Sequence, residues 1–297
     1  MRSLIPMNYA TRAAATLIAA LLAMPSARSA GEETVAAEAT PDPAQAVAKA
    51  EALLKDSGKP GSAQMAVIFL AQAAATGNAE AANRLGYLYD KGEGVTADRA
   101  KARECFQKAA EAGLPKAKFN YGRYLVLGLG GPADVENGLG FLEAAAKEGV
   151  VPAQLVLAKT FFFGESGQKV DYKRAYPFAL LAAETGDAEG QNMVGVMTRY
   201  GWGIKRNLEA SVEWFRKAAE QGHAKAQASL ADALLNGTGV KMDKAEAIKF
   251  YTLSANQGEV TGKNPLADFS ATMDPAIIAE GTLRAEQFSA KKRQEKQ

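Results

Sequence analysis

Few residues in this sequence have side chains suited to catalysis or metal binding. There is one histidine, His223, and one cysteine, Cys105, in 297 residues. A catalytic histidine needs an orienting acid and a nucleophile beside it, and zinc sites draw on several histidine or cysteine ligands. Cys105 falls among the apolar positions of a predicted helix, which favours a buried structural thiol over a reactive one. The sequence therefore predicts no catalytic, cofactor-binding or metal-binding residues.

A glycine-rich segment, Gly128–Gly131, has the look of a phosphate-binding loop. Glycine pairs with the same spacing recur at Gly92 and at Gly237, and no predicted strand precedes any of them. A phosphate-binding loop of this type follows a strand and opens a helix. We therefore interpret the segment as a turn.

These turns belong to an internal repeat that organises most of the chain. A glycine recurs every 36 or 37 residues, at Gly77, Gly113, Gly149, Gly186, Gly222 and Gly258. This period is typical of helical repeat proteins. Each unit is predicted to form a first helix, helix A, and a second, helix B, joined by a loop that contains glycine.

Short polar residues precede helix B in every complete unit. Their side chains can accept a hydrogen bond from a free amide in the first helical turn. They are Asp98, Asp134, Asp171, Asn207 and Asp243. The longer unit has its extra residue between Gly164 and Asp171, so both of its helices keep their length.

Small residues recur in the middle of helix A, at Gly86, Gly122, Ala158, Gly195 and Ala231. A glycine there costs about 1 kcal/mol of helix stability relative to alanine. Its recurrence predicts that a neighbouring helix packs closely against this position.

The repeat resembles a known family in its consensus residues. From Ala81 to Gly113 the sequence reads A-x-x-x-LG-x-LY-x-x-G-x-GV-x-x-D-x-x-KA-x-x-x-F-x-x-AA-x-x-G, which is similar to the Sel1-like repeat, a relative of the tetratricopeptide repeat. Five units lie within residues 77–258. Residues 43–76 look like a sixth, with residues 43–55 as helix A and Ser62 as the cap of helix B.

The resemblance implies an all-α fold, a right-handed α/α superhelical solenoid of about six helix-turn-helix repeats with a C-terminal capping helix. It also implies scaffolding or signalling by protein binding, in general without catalytic residues. By analogy with tetratricopeptide repeats, helix A lines a concave groove. The predicted groove residues are Tyr87, Phe119, Arg123, Lys159, Phe163, Asn192, Arg199 and Tyr200.

Arg123, Lys159 and Arg199 lie in three successive units, with aromatic residues between them. Such a row is suited to binding the carboxylate groups of an extended peptide. The alternative is that the charges are solvated and the rings complete the packing between repeats.

The first 30 residues are predicted to be a signal peptide. Arg2 and Arg12 precede an apolar stretch over residues 13–24, and the small residues Ala27 and Ser29 indicate cleavage between residues 27 and 30. The alternative, a membrane anchor, needs about 20 apolar residues. Residues 31–42 are predicted to be a flexible leader, 43–258 the repeats, and 259–297 a capping helix with a basic tail.

The charge balance limits the partners. The chain has 35 basic and 33 acidic side chains, and residues 1–30 contain three arginines and no acid. A mature chain with a charge near zero argues against a nucleic-acid partner. We expect a protein or peptide partner and no stable membrane insertion after cleavage, and the oligomeric state stays open.

Together these observations predict a periplasmic or secreted interaction scaffold or regulator that is not an enzyme. One alternative is a cell-envelope hydrolase, β-lactamase-like or cell-wall-acting, built on the same repeats. Another is a self-assembling structural protein.

Overall fold

The computed structural model describes residues 42–56, 60–259 and 272–295, which form thirteen α-helices and no strand. The helices are α1 (Pro43–Lys55), α2 (Ser62–Ala75), α3 (Ala79–Lys91), α4 (Arg99–Glu111), α5 (Pro115–Leu127), α6 (Val135–Lys147), α7 (Val151–Phe163), α8 (Tyr172–Glu184), α9 (Ala188–Tyr200), α10 (Leu208–Glu220), α11 (Ala224–Asn236), α12 (Lys244–Ala255) and α13 (Pro275–Gln294). The predicted all-α fold of tandem helix-turn-helix repeats with a C-terminal helix is confirmed. The predicted signal peptide, and the leader up to residue 41, lie outside the described residues.

Side-chain caps start helix B in each complete repeat, as predicted. The oxygen atoms of Asp98, Asp134, Asp171, Asn207 and Asp243 each accept a hydrogen bond from the backbone amide three residues later. Asp171 does so even though its loop is one residue longer.

The start of α2 corrects one prediction. Ser62 does not cap this helix; it is the first helical residue and is buried. Gly61 occupies the cap position with a φ of +85°. This left-handed conformation is readily available to glycine, and it turns the chain into the helix without a side-chain cap.

The chain divides into two compact units between Leu114 and Pro115. In the first unit α1 packs on α2 and α3 packs on α4. The core of this unit includes Leu70, Leu85 and Phe106, all of which are buried.

The second unit contains α5–α13, and each helix packs against the next one in the chain. One cluster of buried side chains forms around Leu142, Leu157 and Phe161. A second cluster forms around Phe215, Leu230 and Phe250.

The glycine-rich turns are contacts between repeats. In three of them, a methyl group on the second glycine would overlap the backbone at the start of helix B in the preceding repeat. The pairs are Gly94 with Ala63, Gly203 with Tyr172, and Gly239 with Leu208. Glycine is therefore required there by close packing, in agreement with the interpretation as turns.

Buried glutamines also connect the repeats. The Nε2 atoms of Gln154, Gln191 and Gln227 each donate a hydrogen bond to a carbonyl in the last turn of the preceding helix, at 2.9, 3.4 and 3.1 Å. Each of these carbonyl oxygens also accepts a hydrogen bond from the amide of a closing glycine, at Gly149, Gly186 or Gly222, so the glutamine is a second donor that ties one repeat to the next.

The C-terminal helix α13 packs against α12. Asp274 caps its first turn, and Gly281 lies where a methyl group would come within 2.6 Å of the Ala245 carbonyl oxygen. Arg284 holds the same contact together through its ion pair with Glu246, at 3.1 Å. Helix α13 thus covers the last helix B of the second unit.

Candidate functional site

Helix A ends in a large exposed apolar side chain in three successive repeats of the second unit. Leu127, Phe163 and Tyr200 are the last residues of α5, α7 and α9, and their exposed fractions are 57%, 60% and 56%. Lys91 and Asn236 hold the same position in other repeats. Packing between repeats therefore does not require an apolar residue at this position.

Two of these side chains belong to an aromatic cluster, which consists of Phe162, Phe163, Tyr172, Tyr200 and Trp202. Phe162 lies at its centre, with ring centroids 4.8 Å from Phe163, 5.3 Å from Tyr172 and 5.5 Å from Trp202. The Trp202 ring stacks on Tyr200 at 4.8 Å. The cluster thus joins the end of α7 to the end of α9.

Two of the predicted cations lie beside aromatic rings. Arg123 is 5.5 Å from the ring centroid of Phe119, and Arg199 is 5.8 Å from that of Tyr200. Such cation–π contacts contribute about 0.5–1 kcal/mol at exposed sites. Neither arginine forms an ion pair with any residue in the described ranges.

The third predicted cation, Lys159, is already paired. Its Nζ atom lies 3.1 Å from Oε1 of Glu189 in the next helix A. The other oxygen of Glu189 lies 2.9 Å from Nε2 of His223. The three side chains therefore connect α7, α9 and the start of α11.

His223 has a structural role at this point. Its Nδ1 atom accepts a hydrogen bond from the Ala226 amide and so caps α11. Since Nδ1 accepts, the proton of a neutral ring is on Nε2, which donates to Glu189. The hydrogen bond from His223, followed by the interaction with Lys159, lowers the pKa of Glu189 to about 2.

The remaining two predicted site residues have different surroundings. Tyr87 lies in the first unit, where it is 44% exposed and packs edge-on against Phe106. Asn192 is only 8% exposed, and its Oδ1 atom accepts no hydrogen bond from the described residues. Asn192 is therefore too buried to be part of an accessible surface.

The described residues hold neither a metal-ligand cluster nor an activated thiol. Across the described ranges, no group of three or more His, Cys, Asp or Glu side chains is placed to hold a metal ion. Burial raises the pKa of the Cys105 thiol to about 11. A thiol with such a pKa is protonated at neutral pH and is a poor nucleophile.

Sequence reasoning missed Glu189, His223 and Trp202 as parts of this region. The signal for Trp202 was present, because the other repeats have Glu93, Leu129 and Thr238 at its place in the Gly-x-Gly turn. Glu189 and His223 gave no comparable signal, since their pairing depends on how successive repeats align in space.

Five consecutive segments of the chain match the Sel1 repeat: residues 79–114, 115–150, 151–187, 188–223 and 224–259. The chain belongs to the Sel1 repeat family. The resemblance found in the sequence over residues 77–258 is thereby confirmed. Residues 43–76, predicted as a sixth unit, lie outside the matched segments.

The solved structures similar to this Sel1 repeat protein include the following two. The first, a protective antigen of uropathogenic Escherichia coli with an SLR fold, is 27% identical, with a TM-score of 0.70 over 83% of this chain and 54% of that one. The second, a Sel1 repeat protein from Oxalobacter formigenes, is 30% identical, with a TM-score of 0.62 over 72% of this chain and 83% of that one.

Among curated proteins, the Sel1 chain is 33% identical over 125 residues to chitin synthase regulatory factor 4 of Schizosaccharomyces pombe. This match covers 42% of the chain and 19% of the relative. The chain spans between about a fifth and a third of the length of the first curated relatives that it matches.

Every helix in the described part of this Sel1 protein is too short or too polar to cross a bilayer.

Proposed function

We propose that this chain is a periplasmic or secreted scaffold or regulator, without catalytic activity, that binds a protein or peptide partner through helix A of successive repeats. Sel1 repeat proteins generally mediate protein–protein interaction and are typically non-enzymatic, which supports the proposal. The partner contacts proposed are Phe119, Arg123, Lys159, Phe163, Arg199 and Tyr200 in the second unit, and Tyr87 in the first.

The observation that carries the proposal is the exposure of Leu127, Phe163 and Tyr200 at one equivalent position. Each exposes more than half of a large apolar side chain to water. Full burial of a large apolar side chain contributes about 1.5–3 kcal/mol, and a contact that covers the exposed part of these residues gains a share of that. Exposed apolar residues that cluster on one surface are typical of binding sites.

Charge favours an acidic partner. Arg123 and Arg199 lie beside aromatic rings and make no ion pair within the described ranges. A carboxylate of the partner would give each guanidinium a counter-ion, and such charge-assisted hydrogen bonds are stronger than neutral ones. Lys159 contributes less in this proposal, because Glu189 already neutralises it.

Affinity capture from an envelope extract tests the proposal. A row variant carries Leu127→Asn, Phe163→Asn and Tyr200→Asn. Asparagine is chosen because another repeat has Asn236 at the equivalent position. The control is Met242→Asn, because Met242 is 52% exposed in another loop of the same unit. Circular dichroism establishes that both variants are folded.

The expected result is at least one protein that wild type and control retain and that the row variant depletes tenfold or more. Identical capture profiles for wild type and a folded row variant would contradict the proposal.

Export and the domain boundaries are part of the same proposal. We place the signal peptide at residues 1–30, the leader at 31–42, the repeats at 43–258 and the capping helix with its tail at 259–297. Mass spectrometry of the protein from a periplasmic fraction should find an N-terminus between residues 27 and 30. Recovery of the full-length chain in the cytoplasm would contradict export.

A further inference from the structure

The aromatic cluster is a feature of two repeats rather than of the repeat fold. At the position of Trp202, other repeats have Glu93 and Thr238, and at the position of Phe163 they have Lys91 and Asn236. Helices fold and pack in those repeats without an aromatic side chain at either position. The cluster is therefore additional to what the fold requires.

The rings present a continuous apolar surface. Tyr172 and Trp202 are stacked, with centroids 5.1 Å apart and planes inclined by only 9°. Phe163 and Tyr200, on either side, are each more than half exposed. Trp and Tyr are enriched among the residues that contribute most to binding energy.

The loop that carries Trp202 is cationic, and the two loops beside the rings together hold more basic than acidic residues. Residues 164–171 include Lys169, and residues 201–207 include Lys205 and Arg206. These three side chains are exposed and form no ion pair within the described ranges. The acids in the same loops are Glu165 and Asp171, and Asp171 caps α8 while it keeps its negative charge. With Arg199, the surroundings of the cluster have an excess of positive charge.

The row of aromatic rings suits a polyproline II helix. Phe163 and Tyr200 are linked through Phe162 and Trp202, with successive ring centroids 4.8, 5.5 and 4.8 Å apart. A polyproline II helix has three residues per turn and a rise of about 3.1 Å per residue, so one of its faces recurs every 9 Å or so. Aromatic surfaces are a known way of binding this conformation.

We propose that the aromatic cluster is the docking site for an extended, acidic, proline-rich segment of the partner protein. The inference rests on the proposed function and names the chemistry of the partner. The prolines pack against Phe163, Tyr200 and Trp202, while the acidic residues face Arg199, Lys205 and Arg206.

Binding of synthetic peptides tests this inference. The probe is a labelled twelve-residue peptide of repeating Pro-Pro-Glu, measured by fluorescence anisotropy at low salt. A peptide of repeating Pro-Pro-Lys keeps the conformation and reverses the charge. A peptide of repeating Gly-Ser-Glu keeps the charge and removes the conformational preference.

The protein variants are matched to sister repeats. A cluster variant carries Phe163→Asn, Tyr200→Asn and Trp202→Thr. Another repeat has Asn236 at the position of Phe163 and Tyr200, and Thr238 at the position of Trp202. Tyr200→Asn alone is the milder variant, since Tyr200 lies mostly in solvent. Met242→Asn serves as the control for an exposed apolar residue outside the cluster.

We expect wild type and Met242→Asn to bind the Pro-Pro-Glu peptide at least tenfold more tightly than either control peptide. The cluster variant should lose this binding, and Tyr200→Asn should weaken it severalfold. Equal binding of the Gly-Ser-Glu peptide, equal binding of the Pro-Pro-Lys peptide, or no binding of the Pro-Pro-Glu peptide would overturn the inference.

Failure of this inference is distinguishable from failure of the proposed function. If the cluster variant loses a natural partner in the capture experiment while wild type ignores the Pro-Pro-Glu peptide, the chemistry proposed here is wrong and the binding function stands. If the cluster and row variants both capture every protein that wild type captures, the function itself is wrong.

Discussion

Gly122 and Gly138 face each other where α5 packs on α6. A methyl group on Gly122 would lie 2.8 Å from the Gly138 carbonyl oxygen, and one on Gly138 would lie 2.9 Å from the Gly122 carbonyl oxygen. Because the atoms in the way belong to the backbone, they cannot move aside as a side chain can. The mid-helix glycine predicted from the repeat is therefore required by helix contact in this repeat.

Gly122→Ala should lower the free energy of unfolding by about 2 kcal/mol or more, in the range of overpacking. Gly140→Ala is the matched control, because Gly140 lies in α6 with no atom within 4 Å of an added methyl group. That change should raise stability by about 0.5–1 kcal/mol through helix propensity. Urea denaturation measures both, and equal effects of the two substitutions would contradict the close contact.

The His223 side chain has two roles: its Nδ1 atom caps α11, and its Nε2 atom contacts Glu189. His223→Asn should keep the cap, since Asn78 and Asn207 cap other helices of this chain, and should lose only the contact with Glu189. His223→Ala loses both, and a lost cap costs about 1 kcal/mol. We therefore expect the alanine variant to unfold at lower urea concentration than the asparagine variant. Equal midpoints would show that the cap contributes nothing.

The lowered pKa of Glu189 predicts how stability depends on acid. The folded pKa of about 2 lies below the ordinary value of 4.5. Glu189 therefore contributes stability that is fully present above pH 4.5 and is lost as the pH falls from 4.5 through about 2. The effect is modest because the Glu189 side chain is 38% exposed and solvent screens it.

Glu189→Gln should make the fall in stability between pH 4.5 and pH 2 less steep, with little difference in that slope above pH 5. Thermal melts at several pH values compare the two proteins. An acid dependence unchanged by the substitution would contradict the assignment of the pKa shift.

One repeat has a threonine, Thr185, where two others have a glutamine that hydrogen-bonds to another glutamine. Gln221 and Gln257 donate hydrogen bonds to the Oε1 atoms of Gln191 and Gln227, at 2.8 and 2.9 Å. Thr185 stands at the corresponding position near Gln154, and its hydroxyl donates instead to the Ala182 carbonyl. The buried Oε1 atom of Gln154 is left without a donor among the described residues.

Thr185→Gln should supply the missing donor and raise the free energy of unfolding by about 1 kcal/mol. Thr76→Gln is the control: Thr76 makes the same hydroxyl contact with its own helix, but the residue corresponding to Gln154 is Ala46. Denaturation should show stabilisation only at position 185. Equal stabilisation at both positions would point to helix propensity rather than to Gln154.

The helices were predictable because their signals are local. Asp171 was identified as a cap despite the longer loop, since an N-cap depends only on residues within one turn. Ser62 was misassigned because a glycine before it can also begin a helix, and sequence alone does not reveal its φ angle.

The candidate site was less predictable because it depends on contacts between repeats. Helical phase was sufficient to expect Phe163 and Tyr200 at the ends of helix A. It did not reveal that Lys159 meets Glu189, which lies 30 residues further along the chain. Asn192 was misleading for a related reason, because a polar residue is not necessarily exposed where a neighbouring helix covers it.

The proposed interaction surface can be tested in living cells with a photoreactive amino acid. Placed at Tyr200, it lies at the proposed contact; placed at Met242, which is exposed to a similar degree, it lies outside it. Irradiation of the native cells should yield one or more discrete protein adducts from position 200 that are absent from position 242. The absence of any adduct from position 200, or the same adducts from both positions, would contradict partner binding at this surface.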